Sequence, residues 1–500
     1  MSTTRQWIVW LVLTASLSGY LAFSLVSQPG VAARTFLPGE TTHGHYQIEL
    51  QCNECHSSDF GAGVSNDACV RCHGADLERS TDTHPKSKFT DPGKAHLVKR
   101  IDGRSCISCH EEHVPDRTLA MGLSLPGDYC WHCHQEIGDQ RPSHQGMAYD
   151  SCATAGCHNY HDNRALFESF LVKHVGEPEM LNQQRVPQRT FGEAWAAANP
   201  DRRPLAAADH DAPSGVVVED AVVSEWAATA HAAAGVNCTE CHTGESSEGG
   251  GGGWVGEVDH NACRSCHDAQ VAGFLEGRHG MKLSVGLEPM TPATARLPMK
   301  HSAFHNELTC VACHGSHGFD TQFAAADACL KCHNDEHSLA YEASPHGDLW
   351  RQEIAGEAPP GAGVSCATCH MPREKEGESV FVQHNQNNNL RPNEKMVRTV
   401  CTKCHGLQFT LDALADPALA KNNYNGAPAG RVESIDMAKA WSDERERMRL
   451  ERKRKRAEQK AKQAARAPGE ARAMAVTHHP SPMNASAGRG TKTDATGGTL

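Results

Sequence analysis

Aromatic residues make up only 6 % of this 500-residue chain, and its mean hydropathy is −0.53. A core built from that supply of side chains is thin for the length, so something other than apolar packing must organise the molecule. Strand signals are nearly absent as well, because few stretches alternate apolar and polar residues in the two-residue rhythm of a half-buried strand. Positive charge is in deficit, with a formal net charge of −12, and nucleic acid is therefore not an expected partner. Long apolar runs are missing except for one near the N-terminus, "WIVWLVLTASLSGYLAFSLVS", which follows Arg5 and is long enough to cross a bilayer as a helix. It reads as an export signal. Residues 1–34 are expected to stay as an uncleaved anchor in the inner membrane, which leaves the rest of the chain in the periplasm. Cleavage near Ala33, giving a periplasmic or secreted protein, is the alternative.

What the sequence does have is cysteine, 22 in all and in close pairs, with none before Cys52 or after Cys404. Ten pairs read C-x-x-C-H: Cys52/Cys55, Cys69/Cys72, Cys106/Cys109, Cys130/Cys133, Cys238/Cys241, Cys263/Cys266, Cys310/Cys313, Cys329/Cys332, Cys366/Cys369 and Cys401/Cys404. This is the spelling of covalent haem attachment. Two thiols form thioethers to the vinyl groups on one porphyrin edge, and the adjacent imidazole reaches the iron from one face. Structural zinc or disulfides would use cysteine pairs too, but neither requires histidine directly behind the second cysteine. The two cysteines left over lie in "SCATAGCHNYH", where Cys152 and Cys157 are separated by four residues and His158 follows. We read this as an eleventh attachment site with a bulged spacer; a disulfide is the alternative. The expected cofactors are thus eleven haem c groups.

The proximal iron ligands expected from these motifs are His56, His73, His110, His134, His158, His242, His267, His314, His333, His370 and His405. Of the 32 histidines this leaves 21, and all but His210, His478 and His479 lie near the motifs. Candidates for the second axial position are His43, His45, His84, His96, His113, His144, His161 and His174 with the first five haems. With the last six they are His231, His279, His301, His305, His317, His337, His346 and His384. His113, His161 and His317 each follow a proximal histidine by three residues, too close to circle to the opposite face of the same iron, so each is expected to ligate a different haem. Met121, Met281 and Met371 are alternative ligands that would raise a potential.

The motifs fall into two groups. A five-haem module spans 43–175 and a six-haem module 226–430, separated by a Pro-, Ala- and charge-rich linker at 176–225. At about one haem per 30 residues, only short helices and loops fit between attachment sites, and the porphyrins take the place of a core. The fold class expected is mainly α with much irregular structure and almost no β-sheet. "GESSEGGGGGWVGE" is a flexible loop by composition. Residues 434–467 form a basic, solvated helix, a candidate for docking to an acidic partner or anionic lipid, and 468–500 read as a disordered tail.

The second module resembles the superfamily that holds ammonia-forming pentahaem nitrite reductase and octahaem hydroxylamine oxidoreductase. The resemblance rests on "EWAATAHAAAGVNCTECH", "GRHGMKLSVG", "NDEHSLAYEASPHGDLW", "GVSCATCHMPR" and "VQHNQNNNLRPNEKMVRTVCTKCHG". The first module is similar to pentahaem electron carriers of the c3 and decahaem-conduit type, and the wider spacing of Cys152 and Cys157 also occurs in tetrahaem c3 cytochromes. In the superfamily, catalysis needs one iron with a vacant face. Nitrite reductases typically give that iron a lysine, whereas all eleven motifs here end in histidine. Hydroxylamine oxidoreductases place an Asp-His pair above it and cross-link the haem to a tyrosine; by position Asp335 and His337 echo the pair, with Tyr341 nearby. These three are weak catalytic candidates, and His337 reads better as an axial ligand. The expected function is a membrane-anchored electron carrier working between a redox-protein donor and acceptor. The alternative is an oxidoreductase acting on nitrite, hydroxylamine or sulfite at one open haem in the second module.

Overall fold

The computed structural model describes residues 3–26, 36–56, 63–80, 84, 89–141, 144–148, 158, 160–161, 166, 168–188, 191–244, 253–377, 379–390 and 395–474. Cys152, Cys157, most of the glycine-rich loop and residues 475–500 lie outside the described residues. Two compact units are present, Met1–Lys439 and Ala440–Leu500. The fold is mainly α-helical, with two small antiparallel sheets.

The attachment motif itself dictates much of the local structure. In a helical turn, positions i and i+3 share a face and i+4 follows just beside them, so C-x-x-C-H presents both thiols and the imidazole to one side. Single helical turns form at Cys238–His242, Cys310–His314 and Cys366–His370, and 3-10 turns at Cys106–Ser108 and Cys401–Lys403. One backbone bond closes the turn repeatedly: the histidine N–H donates to the first cysteine carbonyl at His56, His110, His134, His333 and His405, at 2.8 to 3.1 Å. Such short helices need capping. Asn237 accepts from Cys238 N while Glu240 accepts from Asn237 N, and Ser365 Oγ accepts from Thr368 N at 3.2 Å.

Apolar packing is sparse, as the composition requires. One cluster joins Leu166, Leu171, Val397, Leu407, Leu411, Ile435 and Ala438, with Phe170 beside it under the Arg398 guanidinium at 3.9 Å. Each fully buried Leu or Val there contributes about 1.5–3 kcal/mol. Within residues 186–426 lies a cavity of about 1950 Å³ whose lining includes motif cysteines and histidines. Protein interiors are otherwise close-packed, and a single small-molecule pocket occupies about 300–1,000 Å³. A void of this size, edged by attachment residues, is room for several porphyrins.

The small sheets place carbonyls rather than build a core. Strands β1 (Thr243–Gly244) and β2 (Gly253–Trp254) pair antiparallel and lay the Trp254 ring flat on His242 at 4.6 Å. Strands β3 (Arg373–Glu376) and β4 (Ser379–Val382) pair from Arg373↔Val382 to Glu376↔Ser379. Residues 179–185 run alongside the last motif, with Leu181 N bonded to Cys404 O, Arg185 N to Lys403 O and Gly406 N to Glu179 O. A Cβ at Gly406 would lie 2.3 Å from Pro178 O, so this approach requires glycine.

Paired imidazoles at the attachment motifs

Ten of the eleven proximal histidines face a second imidazole. In the first group the ring centroids are 5.9 Å apart for His45–His73, 6.1 Å for His84–His134, 6.3 Å for His110–His161 and 6.1 Å for His144–His158. In the second they are 6.0 Å for His231–His267 and for His242–His317, and 6.4 Å for His279–His333. His314–His384, His337–His370 and His346–His405 follow at 6.3, 6.1 and 6.2 Å.

The spacing has a chemical meaning. Rings joined directly by an N–H···N bond of about 3 Å would have centroids roughly 5 Å apart. A metal bridging two imidazole nitrogens at about 2.0–2.1 Å, with about 1.1 Å from each nitrogen to its ring centre, gives roughly 6.3 Å. The observed gaps fit an intervening iron with an imidazole on each face. Each pair also joins a histidine that directly follows the second cysteine of a motif to one that does not, which is the division of labour the motifs require.

Second partners fix the rings. Nδ1 donates to a backbone carbonyl at His84 (Tyr160 O, 3.0 Å), His110 (Gly122 O, 3.1 Å), His242 (Val255 O, 2.8 Å) and His337 (Ala420 O, 2.6 Å). The same occurs at His384 (Val382 O, 2.8 Å) and His405 (Glu179 O, 3.1 Å). With Nδ1 carrying the proton, Nε2 is left with its lone pair. Burial lowers the pKa of His279, His314, His346 and His370 to about 4, which keeps them in the neutral form that ligates metals.

Two pairs carry a carboxylate instead. Glu112 Oε1 lies 2.6 Å from His45 Nδ1 and also accepts from Thr42 Oγ1, while its Oε2 accepts from Thr42 N; these contacts hold its carboxyl below the usual range in spite of burial. Asp335 Oδ2 faces His333 Nδ1 at 3.6 Å, and the imidazole beside it keeps that carboxyl well below the ordinary aspartate range.

The motifs adjoin one another in chain order. The thiols of Cys69 and Cys106, of Cys263 and Cys310, and of Cys329 and Cys366 lie close enough to perturb one another. Cys55 lies near Cys72, Cys109 near Cys130, Cys241 near Cys263, Cys313 near Cys329 and Cys369 near Cys401. Burial pushes the thiols of Cys313, Cys369 and Cys401 up to about 12, whereas Cys52, Cys55, Cys72, Cys133 and Cys266 are exposed. None of the described cysteines forms a disulfide. Nor do three His, Cys, Asp or Glu side chains converge as a metal cluster among the described residues.

The remaining candidates are placed elsewhere. His43 stacks on Tyr46 at 5.8 Å, His174 lies against Phe170 with Nδ1 2.9 Å from Glu177, and His301 packs on Phe304. His113 donates from Nδ1 to Gly39 O at 2.8 Å, His96 lines a smaller cavity with His132 and Cys133, and His305 is exposed. Among the described residues no imidazole faces His56 at the spacing of the other pairs, and its Nδ1 is buried without a hydrogen-bond partner. Asp335 caps the helix Glu336–Ala340 through Ser338, and Tyr341 is buried with its hydroxyl on Val364 O at 3.0 Å. Of the methionines, Met371 lines the large cavity. Sequence reasoning did not name the carbonyl and carboxylate partners of the rings. Most of them are remote in the chain, and a backbone carbonyl leaves no residue-type signal.

Residues 44–135 match the family model for cytochrome c3, and residues 336–467 match the one for cytochrome c552. Neither a curated relative nor a solved structure matches the chain.

Proposed function

The chain is a multihaem c-type cytochrome with a c3-like stretch and a c552-like stretch, and from that premise we propose that it carries electrons along eleven covalently held haems between a redox donor and an acceptor. The observation that carries this reading is the set of ten imidazole pairs at iron-bridging distance. Haem iron supplies the one-electron chemistry, and the protein's task is to hold, space and tune it. The paired cysteines from Cys52 to Cys404 would tether the porphyrins, and the proximal and facing histidines would ligate the irons. Nδ1 bonds fix the tautomer in which Nε2 can ligate, and burial excludes water from the deeper sites.

The six proximal histidines of the second group each face another imidazole, which supports a conduit there in preference to an open catalytic iron. The helix Thr3–Val26 is long and apolar enough to cross a membrane, and it supports an anchor in the inner membrane with the haem region in the periplasm. The basic helix Ser434–Met474 is laced with surface ion pairs such as Arg449–Glu446 at 3.3 Å and Lys455–Glu451 at 2.7 Å. It suits an acidic redox partner or anionic lipid.

Protein-film voltammetry of the cofactor-loaded protein tests the proposal. Reversible waves over a wide potential window are expected, unchanged by nitrite, hydroxylamine or sulfite. A catalytic current with any of the three would overturn it.

A further inference from the structure

The two groups of motifs make a contact that is not the one chain order suggests. The 3-10 turn Tyr46–Ile48 packs on the helix Met281–Ser284, and Gln47 Nε2 donates to Arg278 O at 2.7 Å. Arg278 reaches back to His43 O at 3.4 Å and holds Asn387 Oδ1 at 3.0 Å. Arg296 lies over the Tyr46 ring at 4.5 Å, with Glu40 3.7 Å away. Gly277 and Gly280 bracket this contact where a Cβ would meet Gln386 Oε1 at 2.8 Å or Phe274 O at 2.3 Å, so the loop carrying Arg278 and His279 is tightly seated.

The residues flanking the contact are axial candidates. His45 directly precedes Tyr46 and faces His73 of the second motif; His279 directly follows Arg278 and faces His333 of the ninth. The Glu276 carboxylate is also close enough to raise the Cys72 thiol, behind larger contributions from burial and neighbouring charges. These same two pairs carry the carboxylates, Glu112 on His45 and Asp335 beside His333. A carboxylate hydrogen-bonded to Nδ1, as Glu112 is to His45, makes the imidazole a stronger donor to iron and lowers the haem potential, and the negative charge of Asp335 near His333 acts in the same direction. By contrast, the described polar and ring partners of the sixth motif, among them Asp211, Arg202, Val255 and His317, all come from residues 202–317.

We propose that electrons cross between the two haem groups at the second and ninth motifs, with His45–His73 on one side and His279–His333 on the other. The first group then feeds the second in the middle of its chain, and the path divides there toward the motif at 238–242 and the motif at 401–405. This rests on the electron-carrier reading above.

The test uses the complete, cofactor-loaded chain. Flash photoreduction followed by freeze-quench EPR of the ferric signals measures arrival of the electron in the second group. We expect the double variant Gln47→Ala/Arg296→Glu to slow that arrival several-fold with unchanged haem content and spectra. Arg202→Ala, which loosens only the surroundings of the sixth motif, should keep the wild-type rate. A slowed Arg202→Ala beside a wild-type-like double variant would overturn the proposal. Absence of any crossing in the wild-type protein would instead overturn the electron-carrier reading itself. A cryo-EM map of the wild-type holoprotein decides independently of any variant. The shortest haem-edge distance between the groups should join motifs 69–73 and 329–333, and a shorter one from the fifth motif to the sixth or eleventh would overturn the assignment.

Discussion

A single imidazole in this chain is defined by what lies on both of its nitrogens. The ring faces a partner imidazole across an iron-sized gap, and in several pairs Nδ1 is tied to a carbonyl or carboxylate, which leaves Nε2 free to ligate. Replacing a facing histidine should therefore open one iron and leave the others alone. His384→Ala is expected to convert one low-spin haem to high-spin and to let that haem bind carbon monoxide when reduced, read by optical and EPR spectra. Glu112→Gln keeps the shape of the carboxylate but removes its charge, so one haem potential should rise in a redox titration while the rest stay in place. The candidate cysteines and proximal histidines can be read from the sequence, because a covalent tether needs a fixed local spelling. Which second histidine faces which cannot, because His84 meets His134 and His242 meets His317 through the tertiary fold rather than by a fixed offset.

At the scale of elements, the recurring unit is one helical turn closed by a backbone bond from histidine to the first cysteine, and the C-x-x-C-H spacing already implies it. The path of residues 179–185 was not legible. Their bonds to Lys403, Cys404 and Gly406 use backbone atoms, and a Pro-, Ala- and charge-rich composition says connector without saying what it runs beside. Gly406→Ala tests this contact. A Cβ pressed on Pro178 O should cost about 1–3 kcal/mol, seen as a lower melting temperature together with earlier proteolysis in the 177–188 segment. The basic helix carries solvent-exposed ion pairs spaced three or four residues apart, and its function is expected to be electrostatic. Deleting 445–466 should weaken binding to anionic vesicles at low ionic strength and make no difference at high salt, where such attraction is screened.

For the whole molecule, scarcity of aromatics and apolar runs announced that the cofactors replace the core, and the large cavity edged by motif residues is the structural counterpart. The geometry also separates the haems into classes. His84–His134 and His231–His267 have ring planes 88° and 86° apart, whereas His110–His161 and His242–His317 are at 18° and 14°. Near-perpendicular imidazoles leave the iron d orbitals almost degenerate and near-parallel ones split them, so EPR should resolve two families of low-spin signals. The most direct measurement is quantitative EPR and magnetic circular dichroism of the oxidised, fully matured protein, calibrated by iron per chain. Eleven irons, at least ten of them low-spin with two nitrogen ligands, is the predicted result; an iron content far below one per cysteine pair, or predominantly high-spin haem, would contradict the account.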